Sequence, residues 1–166
     1  MLEYRDTLIL QTNDLEKALY YVFKSKETLD HVHGVGNYST AECDGNKRKI
    51  KYTLPLNYVP DIFQFLIGGD QIKAKAKSII EYTPTGAIVP VKVIPKIIGS
   101  SLIKIKPLYT FVKQADQTIQ LDIYFKIKIH LPDEIQQKSE IFILERMKEH
   151  TQHLREILQK QNMILS

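Results

Sequence analysis

The stretch from Pro132 to Gln161 constrains this chain more than any other, because it holds no glycine and no proline beyond its first residue. Proline suits the first turn of a helix, where its missing N–H would have no partner. Asp133 and Glu134 then place negative charge at the positive end of the helix dipole. Ile135, Phe142, Ile143, Met147, Leu154, Ile157 and Leu158 fall on one side of a 3.6-residue wheel, and Glu145, Lys148, Glu149, Gln152, Arg155 and Glu156 fall on the other. At about 1.5 Å per residue this predicts a helix roughly 40 Å long, which needs a wide apolar partner. Ser139 and His150 interrupt the apolar stripe. Each is either hydrogen-bonded in a core or faces a cavity, since a buried polar group left unpaired costs about 1–3 kcal/mol.

Strands supply that partner. Residues 2–11 read as a strand with Leu8, Ile9 and Leu10 at its buried end. Asn13 is expected to cap a helix in which Leu15, Ala18, Leu19, Val22 and Phe23 share a face, with Glu16 reaching back to the cap. A second short helix is expected from Lys26 to about Val32, ended by Gly34 and Gly36. Residues 38–43 and 47–56 form a hairpin about Asp44, Gly45 and Asn46, with Ile50, Tyr52, Leu54 and Leu56 on one face. Residues 60–67 read as a short helix, apolar nearly all round, which is either buried or covers an apolar opening. Four strands are expected next, over 72–82, 87–98, 102–113 and 119–129. Pro90 and Pro95 mark the second as an edge strand or a broken one, and Pro107 suggests a bulge in the third. The fourth alternates most cleanly, with Ile119, Leu121, Ile123, Phe125, Ile127 and Ile129 facing in.

Composition excludes several functions. A chain of 166 residues with 43% apolar and 25% charged residues suits one soluble domain over 1–166 with a real core. Cys43 is the only cysteine, so neither an internal disulfide nor a thiolate metal cluster can form, and a reducing, cytoplasmic setting is expected. The first residues lack the apolar core of a signal peptide, and no apolar run is long enough to span a membrane. Asp30 with His31 and His33, and His150 with His153, are too few to specify a metal site, and no cofactor is expected. His31 or His33 could serve as a general base at a pocket mouth, but no nucleophile accompanies them. Lys49, Lys51, Lys73, Lys75, Lys77, Lys104, Lys106, Lys126 and Lys128 lie on the polar phase of their strands. That face is either simply solvated or meets an anionic surface. Aromatic residues do not interleave with the lysines, which argues against single-stranded nucleic acid.

The order of strand, two helices, about six strands and a long helix predicts an α+β fold: a curved antiparallel β-sheet of six to seven strands wrapped around the C-terminal helix. With residues 13–23 after the first strand, residues 59–68 before the later strands, and residues 132–158 at the end, the chain resembles the START-like, or helix-grip, superfamily of lipid-transfer domains, birch-pollen-type allergens and polyketide cyclases. The resemblance spans Glu3 to about Gln159, though the glycine-rich loop of the plant allergens is missing between Gly36 and Asn46. It implies a lipid or other small apolar ligand held between sheet and helix, or an enzyme of the same fold such as a cyclase, dehydratase or hydrolase. The expected pocket is lined by Ile123, Phe125, Ile127, Phe142, Ile143 and Met147, with Ser139 and His150 as polar contacts. The segment Ile62–Ile67, carrying Phe63 and Leu66, is the expected gate.

Overall fold

The fold is drawn from a computed structural model that describes residues 1–42, 45–55, 61, 71–96 and 100–165. The strands are β1 (Leu2–Leu10), β2 (Tyr38–Glu42), β3 (Lys47–Pro55), β4 (Gln71–Ile79), β5 (Glu81–Thr83), β6 (Gly86–Pro95), β7 (Ile103–Lys113) and β8 (Ile119–Ile129). The helices are α1 (Leu15–Leu19), which continues into a π-turn over Tyr20–Lys24, α2 (Lys26–His33) and α3 (Asp133–Lys160). The expected short helix over 60–67, with Phe63 and Leu66, lies outside the described residues apart from Asp61.

All strand pairs are antiparallel, in the order β1-β8-β7-β6-β4-β3-β2, with β5 pairing to β6 off that path. β8 sits between β1 and β7, so its apolar phase is covered fully: Ile119, Leu121, Ile123, Phe125, Ile127 and Ile129 are all at most 1% exposed. An open antiparallel sheet with one long C-terminal helix is the α+β arrangement expected from the sequence.

Several local expectations are corrected. β6 is not an edge strand; it lies inside the sheet between β7 and β4. Its prolines are tolerated because β6 changes partner along its length. Gly86–Ile88 pair with β5 and Val91–Pro95 with β4, so Pro90 falls in the gap between the two ladders on that side. On the other side the β6–β7 ladder skips from Pro90↔Leu108 to Val93↔Ile105 in the same register, so Pro107 interrupts the ladder without adding a residue. The expected strand over 72–82 breaks at Ile80, whose N–H turns to the Asn46 carbonyl at 3.0 Å. The cap of α1 is Asp14, whose carboxylate accepts from the Lys17 N–H at 3.2 Å, while Asn13 bonds to Gln117.

α3 is 28 residues long, and Pro132 stands at its N-cap position. It packs against α2, β8 and β1. The apolar stripe is buried chiefly through Ile143, Leu154, Ile157 and Leu158. Glu140, which the apolar period does not flag, is 2% exposed. Its Oε1 accepts from the Ile129 N–H at 3.1 Å and from Gln136 Nε2 at 3.2 Å, and its Oε2 lies 3.0 Å from the Met1 ammonium. A buried carboxylate is tolerable only with partners of this kind. Among the described residues, no helix is long and apolar enough to cross a membrane.

Candidate functional site

The inner face of the sheet carries side chains of unequal size. β8 presents isoleucine, leucine and phenylalanine throughout, whereas β4 presents Ile72, Ala74, Ala76 and Ser78. The terminal helix covers β8 and β1, and α2 packs over β3. Between these covers the short side chains of β4 leave space. A pocket of about 130 Å³ results, bordered by Ala76, Ser78, Val91, Val93 and Phe125 from the sheet, Phe23 and Leu29 from the N-terminal helices, and Met147 and Leu154 from α3.

Polar heads converge on this apolar shell. His33 enters from the end of α2, Arg48 and Tyr52 from β3, Tyr109 from β7 and His150 from α3. The His33 ring lies 4.8 Å from the Tyr52 ring and 6.2 Å from the His150 ring, centroid to centroid. Tyr109 is held edge-on by Phe23 at 5.1 Å, which fixes that wall. Among the described residues, His33, His150, Tyr52 and Tyr109 make no side-chain hydrogen bond. Thr28, which also borders the pocket, is satisfied by the Tyr21 carbonyl at 2.6 Å.

The surroundings hold these groups neutral. Burial pushes His33 down to about 3, helped by the nearby His150 and Arg48. Burial pushes His150 down to about 4, with His153 adding to it. Burial pushes the Tyr52 phenol up to about 12 and raises Tyr109 as well, the latter with a contribution from Tyr52. Charged forms are disfavoured because the walls cannot solvate them. At neutral pH the pocket therefore offers two phenol donors and two neutral imidazoles, each with one donor and one acceptor nitrogen.

Of the residues expected at the site, Phe125, Met147 and His150 border this pocket. Ile123, Ile127, Phe142, Ile143 and Ser139 do not. Ile123 belongs to the larger core cluster with Leu121 and Phe111, while Ile127 and Ile143 form a second cluster with Ile72 and Ile103, against which Phe142 packs. Ser139 is 2% exposed, two turns of helix before the pocket begins at Met147. The helix is simply longer than the hollow beneath it. Phe63 and Leu66 lie outside the described residues. Arg48, Tyr52 and Tyr109 were missed, although a signal was present: Arg48 and Tyr52 share the strand phase of Ile50, and Tyr109 that of Ile105. Among the described residues, no group of three or more histidine, cysteine or acidic side chains is placed to hold a metal ion.

No protein-family model matches the sequence, and no curated protein matches it. Solved structures do. A protein of Thermus thermophilus superposes with a TM-score of 0.62 at 7% identity, over 96% of this chain and 99% of that one. The ZhuI aromatase/cyclase from Streptomyces sp. R1128 gives 0.62 at 6% identity, over 96% of this chain and 94% of that one. The di-domain aromatase/cyclase StfQ of the steffimycin biosynthetic pathway gives 0.62 at 13% identity, over 93% of this chain and 48% of that one. At such identities the likeness speaks to backbone architecture, and on that ground the chain has the START-like, helix-grip fold.

Proposed function

We propose that the protein binds a small, uncharged, mostly apolar molecule bearing hydrogen-bonding oxygen atoms, held between the sheet and the terminal helix. The observation that carries this reading is the convergence of His33, His150, Tyr52 and Tyr109 on an apolar pocket without hydrogen-bond partners among the described residues. His33, Tyr52 and His150 are only half-buried, so water can pair with their polar atoms, and a ligand that displaces it must offer equivalent partners. A ligand with a carbonyl or hydroxyl would supply those partners. Phe125 and Met147 would contact its apolar body, with His150 among its polar contacts.

Size narrows the class. A cavity of about 150 Å³ accommodates benzene, so a pocket of about 130 Å³ is on the scale of a single ring, whose substituents would reach toward the pocket's mouth. A long-chain lipid would need the walls to part.

An enzyme is the second reading, favoured by the aromatase/cyclase names of two structural neighbours. Electrostatics favour binding instead. A general base works best with a pKa near the working pH, whereas His33 and His150 sit at about 3 and 4. Thermal denaturation with p-cresol tests the proposal. Saturation at one hundred times the dissociation constant should add about 2.7 kcal/mol of stability, and Tyr52→Phe with His150→Phe should weaken binding at least about tenfold. No stabilisation by p-cresol, together with no small molecule retained by the purified protein in native mass spectrometry, would refute it.

A further inference from the structure

The outer face of the sheet places lysine against lysine. In the observed register Lys49 lies opposite Lys77, Lys77 opposite Lys92, Lys51 opposite Lys75, Lys104 opposite Lys128 and Lys106 opposite Lys126. Lys73 and Lys96 extend the band, their backbones joined at 2.7 Å. None of these lysines forms an ion pair with a described residue. Mutual repulsion is strong enough that Lys75 has its pKa lowered, first by Lys77 and then by Lys49.

Like charges directly opposite one another destabilise a sheet, and opposite charges there would stabilise it. The chain has 19 acidic residues available. Yet on the outward phase of β1, β3, β4, β6, β7 and β8 only Glu3 and Asp122 are acidic, and Asp122 is bonded to Thr7 at 2.8 Å. A face kept merely solvated has no need to concentrate one sign of charge in this way.

We infer that this face docks on an anionic lipid surface. Three features select a bilayer over a nucleic acid. The band crosses β3, β4, β6, β7 and β8, a breadth of about 20 Å at about 4.8 Å per strand, which matches a plane of head groups better than a single phosphate line. Every cation in the paired rows is lysine, which binds as a point charge, and Arg5, on the outward phase of β1 at the sheet's edge, lies over the Tyr124 ring at 4.7 Å. Aliphatic side chains stand among the lysines: Ile94 opposite Lys75, and Ile79, 42% exposed, at the end of β4. Beside them Lys49, Lys51, Lys73, Lys75 and Lys96 line an open depression of about 950 Å³, wide enough for a head group. Basic clusters of this kind are drawn to the negative potential of anionic lipids.

Co-sedimentation with vesicles tests this. The protein should bind vesicles of 70% phosphatidylcholine and 30% phosphatidylserine at low salt, and bind pure phosphatidylcholine at least tenfold more weakly. Raising the salt from 50 to 300 mM should weaken binding more than tenfold. Lys75→Gln, Lys77→Gln and Lys92→Gln together should lower partitioning at least tenfold while leaving the circular dichroism spectrum unchanged. Wild-type binding that ignores phosphatidylserine or salt would overturn the inference. So would a folded triple variant that binds like wild type, or duplex DNA bound more tightly than the vesicles.

Discussion

Replacing Gly86 by alanine is expected to cost about 3 kcal/mol or more, the upper end for overpacking a well-ordered interior. Gly86 opens β6 and pairs with Val112 of β7. A Cβ built on it would lie 1.8 Å from the carbonyl oxygen of Phe111 and 2.7 Å from that carbonyl carbon. Those are backbone atoms, so no side-chain rotation can relieve the clash, and the two strands would have to part. Phe111 is fully buried at the centre of the larger core, so the displacement would spread into the packing around Leu121 and Phe23. Urea denaturation checks the expectation. An alanine variant within about 0.5 kcal/mol of wild type, in the range of ordinary surface substitutions, would show that β6 and β7 do not approach as described.

Acidification is expected to have an effect of comparable size. His33 and His150 have folded pKa values pushed down to about 3 and 4, whereas an unfolded histidine titrates near about 6.5. Between those limits the unfolded chain binds protons that the folded one refuses, so stability falls as pH falls. The full contribution is present above about pH 6.5 and is lost progressively toward about pH 4 for His150 and about pH 3 for His33. Two rings titrating only on unfolding would give a slope of at most about 2.7 kcal/mol per pH unit, reduced where water reaches the pocket. Asp30 and Glu156 act in a separate, lower window. Hydrogen bonds from Tyr38 and Lys26 lower Asp30, and those from His31 and Gln152 lower Glu156, so their contributions are lost only below about pH 4. Denaturation midpoints at pH 7.5, 6.0 and 5.0 should drop steeply for wild type and much less for the His33→Phe, His150→Phe double variant. Parallel profiles would show that the rings are not sheltered.

Long-period patterns were legible in the sequence, and the lining of the pocket only in part. β8 is legible with both ends correct because it is buried between two neighbours and every second residue is apolar. α3 is legible nearly to its ends because charge, period and the absence of helix breakers agree. Glu140 escapes because its partners, the Ile129 N–H and Gln136, compensate its burial, and no pattern of apolar residues announces that. β6 is misplaced because proline argues against an inner strand only if both sides are continuously paired, and here one side changes partner at Pro90. The polar pocket residues come from α2, β3, β7 and α3, and their meeting depends on where the small side chains of β4 fall beneath the helices. Alternation gives the inward phase of Arg48, Tyr52 and Tyr109 but not their distance from one another. The helix stripe likewise gives Met147 and His150 without showing that Ser139 and Phe142 lie beyond the hollow.

Titration calorimetry of p-cresol against wild type and an Ala76→Leu variant goes straight to whether the hollow is a binding site. Ala76 lines the pocket, and leucine there would fill much of its roughly 130 Å³. Binding by wild type, lost by at least tenfold in a variant that keeps its fold, is the expected result. Equal heats from both proteins, or none from wild type together with no small molecule retained in native mass spectrometry, would contradict a binding site between the sheet and the terminal helix.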